Sequence, residues 1–359
     1  MAGPPRLRYN RCVVDSGDWP RSDLETLGRC PLCGSQRREV LFDGLVDATY
    51  FCAPGRWTLR SCADCRCAYL DPRPTVASIG RAYSGYYTHG EDDAPSPSSR
   101  LGRLKAAARN GHLRSRWGIN REPASGALSA LLVTGPGLLA RQIDQGEMRG
   151  LPRPAASREL LDIGCGNGRF LVLARDAGWR VRGVDFDAAA VEAARRRGLD
   201  VSVGGVEVLA AESGRYDAIT LSHVVEHVHD PRALLAACLR LLKPGGYFWI
   251  ETPNVASHGL RAFGAHWRGL EAPRHLILFD HATLRKLMED VGFARVAPAA
   301  WRPTYQWMDM SSRAIRDGLK QDQMRASPAS RAWSIFVEAA NVFRTGRREF
   351  VTLTATKAP

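Results

Sequence analysis

Residues 160–170 read Leu160-Leu161-Asp162-Ile163-Gly164-Cys165-Gly166-Asn167-Gly168-Arg169-Phe170. The first four are the short apolar run of a buried strand, the glycines supply a turn, and Arg169 to Ala177 has helical spacing through Phe170, Leu173 and Ala174. Strand, glycine turn and helix make the first unit of a Rossmann-like sheet. Glycine is needed because the backbone must turn sharply and lie against a ligand with no Cβ between them. The spacing also selects the ligand. A Gly-x-Gly-x-x-Gly dinucleotide fingerprint starting at Gly164 needs a small residue at 169, where Arg169 stands, so a pyrophosphate is disfavoured. Asp162, two residues before the first glycine, suits a ligand with a cationic amino-acid end. The next strand, Arg180 to Val184, runs into Asp185, where a carboxylate can take both hydroxyls of a ribose, and Phe186 can pack on the base. Adenosine with free 2′ and 3′ hydroxyls fits this set.

Further along stand Gly183-Val184-Asp185-Phe186-Asp187, Tyr216-Asp217-Ala218-Ile219-Thr220-Leu221-Ser222 and Leu242-Lys243-Pro244-Gly245-Gly246-Tyr247-Phe248. With the glycine loop, this series resembles the motifs of class I S-adenosylmethionine (SAM)-dependent methyltransferases. The resemblance implies an α/β fold with a Rossmann-like seven-stranded sheet, in which Phe350 to Thr356 alternates like the final strand. It implies SAM as methyl donor, held by Asp162, Gly164, Gly166, Gly168, Asp185 and Phe186. Trp267, Pro273-Arg274-His275 and Phe279-Asp280 resemble a motif of ubiquinone-type O-methyltransferases. Two departures stand out. The third strand, around Asp200 to Val203, is followed by Gly204-Gly205-Val206 rather than an acidic loop, which leaves backbone or apolar contacts for adenine. The carboxyl-terminal half of the sugar C-methyltransferases is not evident.

Ligands in open α/β sheets bind beyond the carboxyl ends of the strands, so the acceptor is expected after strands four and five. After strand four comes His223-Val224-Val225-Glu226-His227-Val228-His229-Asp230. Residues 223, 226 and 227 share one face if a helix begins there, with His275 approaching from a later loop. The His-x-x-Glu-His pattern matches a metalloprotease signature in isolation, but its place after strand four argues against proteolysis. The set resembles the Glu-x-x-Glu-His metal motif of ubiquinone-type and small-RNA methyltransferases, with His223 in place of the first Glu. Two readings follow: a divalent metal at His223, Glu226 and His227 that lowers an acceptor hydroxyl's pKa, or a metal-free pair that holds the loops together. His223, His227 and His275 are the candidate bases, with Glu226 as orienter. Asn254 is placed to bind either the acceptor or its own turn, and Trp267, Tyr83 and Tyr86 to wall a pocket.

Six of the nine cysteines fall between Cys30 and Cys67. Cys30-Pro31-Leu32-Cys33 and Cys62-Ala63-Asp64-Cys65 are two knuckles able to aim four thiolates at one tetrahedral zinc, a zinc ribbon. Glu39 to Phe42 and Trp57 to Arg60 alternate as its strands should. Four cysteines leave no open position, so the zinc is read as structural, with Cys52 and Cys67 as spare thiols able to replace one of the four. The ribbon followed by Asp71-Pro72-Arg73-Pro74 resembles the amino-terminal module of a methyltransferase group that includes deoxysugar methyltransferases.

The chain has 359 residues, 45% hydrophobic and 24% charged, enough for a large core and unlike a disordered or disulfide-stapled chain. Its formal net charge of +13 favours anionic partners without choosing among them. Met1 to Val14 lacks the apolar core of a signal peptide, and the apolar run Ala127 to Ala140 is broken by Gly135-Pro136-Gly137, so a cytoplasmic protein without a transmembrane helix is expected. The expected organisation is a tail over 1–29, the ribbon over 30–80, a helical and linker region over 81–155, and the methyltransferase domain over 156–359 with an insertion at 305–345. Thr75 is expected to cap a short helix toward Tyr83. Glu91 to Arg100 reads as a linker, Arg100 to Arg121 as a basic helix followed by irregular chain, and Trp333 to Phe343 as a packing or homodimer surface. The expected activity is O-methylation of a small molecule such as a sugar, a glycan-linked intermediate or a secondary metabolite. The alternatives are RNA or protein methylation with the ribbon as recognition element, for which Arg37, Arg38 and Arg60 supply charge, and a non-catalytic nucleotide-binding module.

Overall fold

The structure is a computed structural model that describes residues 18–84, 99–133, 138–154, 156–319 and 323–359. Tyr86, most of the expected linker and the first part of the expected tail lie outside the described residues.

Short β-rich segments come first: β1 (Leu24–Glu25), β2 (Arg38–Leu45), β3 (Trp57–Cys62), β4 (Ala68–Leu70) and β5 (Arg73–Pro74). β2, β3 and β4 pair antiparallel, which puts the two cysteine knuckles at one end of the sheet. Residues 18–29 do not hang free as a tail. Trp19 is buried edge-on against Trp57 with ring centroids 5.3 Å apart, and β1 pairs with β5. Thr75 does not cap a helix but hydrogen-bonds through its hydroxyl to Ser78, and a single 3-10 turn, Ile79–Tyr83, carries Tyr83. Three helices follow, α1 (Arg100–Trp117), α2 (Gly126–Val133) and α3 (Leu138–Met148). Ser99 caps the first by accepting from the Gly102 N–H, and Gly118 at φ 76° ends it, the left-handed position glycine takes without strain.

The remaining chain is β6 (Glu159–Ile163), α4 (Arg169–Asp176), β7 (Arg180–Asp185), α5 (Ala188–Arg196), β8 (Asp200–Val203), β9 (Tyr216–Ser222), α6 (Pro231–Leu241), β10 (Leu242–Pro253), α7 (His258–Phe263), β11 (Ile277–Leu278), α8 (His281–Val291), β12 (Ala294–Pro298), α9 (Tyr305–Arg316), α10 (Pro328–Phe343) and β13 (Phe350–Thr356). Seven of these strands form one Rossmann-like sheet in the order β12-β13-β10-β9-β6-β7-β8. β10, β9, β6, β7 and β8 run parallel, while β13 enters antiparallel between β10 and β12. Central parallel strands are covered on both faces, so β6 and β9 read as apolar runs rather than alternations. Leu160, Leu161, Ile219 and Leu221 are fully buried. The strand order reverses between β6 and β9, which opens a crevice beyond their carboxyl ends.

The sheet that carries the cysteine knuckles is not closed on itself. β11 adds to it as a fourth strand, with Ile277 opposite Tyr69 and Leu278 opposite Ala68. One hydrophobic core then runs from Trp19, Trp57 and Tyr69 to Phe248, Ile250 and Leu353. The junction is reinforced by Arg274, fully buried, whose guanidinium forks onto Asp47 with contacts of 3.0 and 2.5 Å and donates to the Ala82 carbonyl at 2.9 Å. Burial works against ionising Asp47, but the Arg274 fork outweighs it and holds the carboxyl below its usual range. In the region expected as an insertion, α9 and α10 pack on each other and leave Trp307, Trp333, Ile335, Phe336 and Phe343 exposed. Among the described residues no helix is long and apolar enough to cross a membrane.

Candidate functional site

The turn after β6 is left-handed at Gly164, Gly166 and Gly168, with φ of 72°, 53° and 77°. A Cβ at Gly164 would stand 2.4 Å from Val224 Cγ2, and one at Gly168 2.2 Å from Leu199 Cδ1, so packing demands glycine there as strongly as any ligand would. Asp185 braces the loop. One carboxylate oxygen accepts from the Gly166 N–H at 2.7 Å and the other from the Asp187 N–H at 2.9 Å, leaving a lone pair on each. Phe186 is 72% exposed, with one edge against Gly205, so its ring remains open to a flat ligand.

Beside the loop lies a cleft of about 410 Å³ lined by Arg149, Gly164, Gly166, Asn167, Ser222 and Trp249, among others. Asp162 stands differently from its sequence reading. It is fully buried, and its cationic partner is the chain's own Arg149, which bonds Asp162 and Thr220 together. Burial raises the Asp162 carboxyl above its usual range despite that partner. Its second oxygen is buried with no hydrogen-bond partner among the described residues. Arg149 itself has φ 51° and lies flat over Phe170 at 3.7 Å, which fixes its guanidinium at the edge of the cleft. No periodicity marks Arg149 in the sequence; its only sign is a basic residue standing shortly before the first strand. The glycine cradle, the orphaned carboxylate oxygen and a fixed guanidinium suit a zwitterionic amino-acid end carried on a nucleoside.

The histidine cluster is a turn, not the start of a helix. Residues 224–227 turn, and α6 begins only at Pro231, where Asp230 caps by accepting from the Ala233 N–H at 2.9 Å and proline occupies the first turn. The chain bends out of β9 at His223, φ 56°. His223 Nδ1 lies 3.2 Å from Glu226 and its Nε2 3.7 Å from Glu251. Partial burial opposes its charge, but the two carboxylates hold its pKa up at about 9, so at neutral pH it is an imidazolium and not a free base. Burial likewise opposes ionising Glu226, and His223 holds that carboxyl down at about 2. Glu251 is in turn held by Arg302, a residue that lines the cleft.

Glu226, His227 and His275 are the residues that come within ligating distance, each offering an atom within 4.8 Å of the others. His223 stands apart as their ion-pair neighbour. The His227 Nδ1–H donates to the Arg274 carbonyl at 3.1 Å and the His275 Nδ1–H to the Gly269 carbonyl at 2.8 Å. Burial pushes His275 down to about 4, so it is neutral. Two imidazoles and a carboxylate fit a divalent metal. Tyr83 reaches this group from the amino-terminal module, its hydroxyl 3.0 Å from His227 Nδ1. Asn254 serves its own turn: buried, it donates to the Gly346 and Arg348 carbonyls and accepts from the Ala256 N–H. Trp267 is core rather than pocket wall, with its indole donating to Glu349 at 3.0 Å.

Cys30, Cys33, Cys62 and Cys65 converge with all four sulfurs within 4.8 Å of one another. A tetrahedral zinc with Zn–S near 2.3 Å sets sulfurs about 3.8 Å apart. The Cys30–Cys65 and Cys33–Cys62 spacings of 3.6 and 3.5 Å fit that set. Cys67, fully buried, lies 3.4 Å from both Cys30 and Cys65.

Residues 138–297 match a family model described as a methyltransferase domain. A ubiquinone biosynthesis O-methyltransferase of Xanthomonas oryzae pv. oryzae (strain PXO99A) is 39% identical over 128 residues, 33% of this chain and 54% of that protein. One from Ralstonia nicotianae is 33% identical over 153 residues, 40% of this chain and 63% of that protein. The chain thus spans between half and two thirds of these relatives. Among solved structures, a SAM-dependent methyltransferase from Archaeoglobus fulgidus is 25% identical, covering 60% of this chain and 94% of that one with a TM-score of 0.43. Residues 138–297 thus carry a methyltransferase domain.

Proposed function

We propose that the protein transfers the methyl group of SAM to a hydroxyl oxygen of a small molecule. The observation that carries this reading is the pairing of the three-glycine loop with Asp185 at the switch point of the sheet. In it, Asp185 takes the ribose hydroxyls, Phe186 covers the adenine, Gly164, Gly166 and Gly168 let the backbone approach, and Arg149 and Asp162 meet the amino-acid end. SAM supplies a methyl group already activated on a sulfonium, so the protein's work is chiefly positioning. A base adds roughly 10²- to 10⁴-fold for a hydroxyl nucleophile.

The proton relay is assigned to His227 and His275. His275 is neutral and His227 stands beside it, while His223, paired with Glu226 and Glu251, orients the carboxylates. A divalent ion held by Glu226, His227 and His275 would supply Lewis-acid activation of the acceptor oxygen. A zinc held by Cys30, Cys33, Cys62 and Cys65 would be structural. The ubiquinone-type relatives support oxygen as the acceptor atom, and the tie of Tyr83 to His227 supports the amino-terminal module as part of the acceptor wall.

The test is incubation of the purified chain with methyl-labelled SAM and a fractionated extract of its host. Label in a small-molecule fraction, released as the alcohol's methyl ether, supports the reading. Label confined to RNA or protein overturns the acceptor class, and no label in any fraction despite tight donor binding overturns catalysis.

A further inference from the structure

A second cleft, of about 500 Å³, adjoins the first and shares Gly146, Glu147 and Arg302 with it. Its walls come from α1, α3 and the segment after β12. Its volume is in the range of small-molecule sites, and the shared residues set it beside the cleft that Ser222 lines.

The lining has two characters. Leu139, Ile143, Ala108 and Pro303 make an apolar wall, with Leu139 half-exposed. Lys105, Arg109 and Arg302 face Glu147 as the single acid in the lining. Arg109 spends its charge on Glu147 at 3.2 Å, and Arg302 reaches back to the buried Glu251. Lys105 has no ion pair among the described residues. Even with Glu251 counted, cations outnumber acids, and the surplus is Lys105, exposed on α1 at the wall of the second cleft. A cation on a low-dielectric wall attracts an anion more strongly than one in open water. A flat basic surface for nucleic acid would need no apolar wall, and a purely apolar acceptor would need no surplus charge.

We propose that this second cleft is the acceptor site and that the acceptor is an amphiphilic anion, a phosphate or carboxylate on an apolar body, with the anionic group on Lys105 and Arg302 and the body against Leu139 and Ile143. The proposal rests on the methyltransferase reading, and it is tested by binding, without turnover. The full chain, saturated with S-adenosylhomocysteine, is titrated calorimetrically with octyl phosphate, octanoate, octanol and inorganic phosphate.

Octyl phosphate and octanoate are expected to bind roughly tenfold or more tightly than octanol, as loss of a charge-assisted contact implies. Inorganic phosphate, lacking the body, is expected to be weaker than octyl phosphate. Lys105→Glu should weaken octyl phosphate by roughly tenfold or more, and Leu139→Asp should weaken it as well, while S-adenosylhomocysteine affinity stays within about twofold. Equal binding of octanol, equal binding of inorganic phosphate, or indifference to Lys105→Glu overturns the proposal. Binding to anionic lipid vesicles with no binding of the soluble amphiphiles overturns it too. A wild-type chain that binds S-adenosylhomocysteine but not octyl phosphate refutes this inference alone, whereas failure of S-adenosylhomocysteine to bind the wild type refutes the reading beneath it.

Discussion

Asp185→Ala removes the one carboxylate that the donor reading assigns to the ribose. In the structure each Asp185 oxygen already accepts one backbone N–H, from Gly166 at 2.7 Å and from Asp187 at 2.9 Å, and each retains one lone pair for a ribose hydroxyl. A hydrogen bond to a charged group contributes about 1.5–3 kcal/mol. Losing one such bond costs roughly tenfold in affinity, and losing two at the low end costs roughly a hundredfold. The Gly166 N–H also loses its acceptor, which loosens the loop and moves the effect toward the larger figure. The assay is calorimetric titration with S-adenosylhomocysteine, with far-ultraviolet dichroism and a thermal melt to establish that the variant is folded. A parallel titration with the 2′,3′-dideoxy analogue isolates the contact: it should bind the wild type as weakly as the parent ligand binds the variant, and the variant should not distinguish the two. A folded variant that keeps its affinity within about twofold, or that still discriminates between the two ligands, refutes the assignment of Asp185.

Other outcomes follow from the module and its junction. Cys30→Ser should release zinc, read by metal analysis of the purified chain, and wild-type protein that holds no zinc would refute the four-thiolate site. Asp47→Ala removes the carboxylate that forks onto the buried Arg274 guanidinium, which keeps Glu271 at 3.1 Å, and should cost roughly 1.5–3 kcal/mol of stability in denaturant melts, since charge-assisted bonds to a buried group are lost. The same pair predicts an acid limit. Asp47 titrates lower in the folded chain than its ordinary 3.8, so its contribution is complete above that pH and is lost as pH falls through the folded value. Wild-type stability should therefore drop below about pH 4 more steeply than that of Asp47→Asn.

The central sheet was legible because its signals are local. Leu160 to Phe170 carries strand, turn and helix within eleven residues, and Phe350 to Thr356 alternates cleanly. The cysteine knuckles were legible for the same reason. Features made by distant segments were not. Nothing in Ile277-Leu278 announces that it completes a sheet begun at Arg38, and nothing in Asp47 announces Arg274, 227 residues on. The i, i+3, i+4 spacing of His223, Glu226 and His227 suits a helix, whereas the Asp230 cap and Pro231 place the helix start later. Sequence also gives no sign that Arg149 folds over Asp162.

The pairing of β4 with β11 also bears on how the chain is made. When the cysteine knuckles leave the ribosome, the edge of Ala68–Leu70 has no neighbour, and its partner is synthesised about two hundred residues later. An unpaired strand edge is a template for wrong partners. During that interval the nascent ribbon, with its thiols close together and Trp57 short of part of its packing, is the segment most exposed to mispairing and oxidation. Early metal capture by the knuckles would protect it until Ile277–Leu278 arrives.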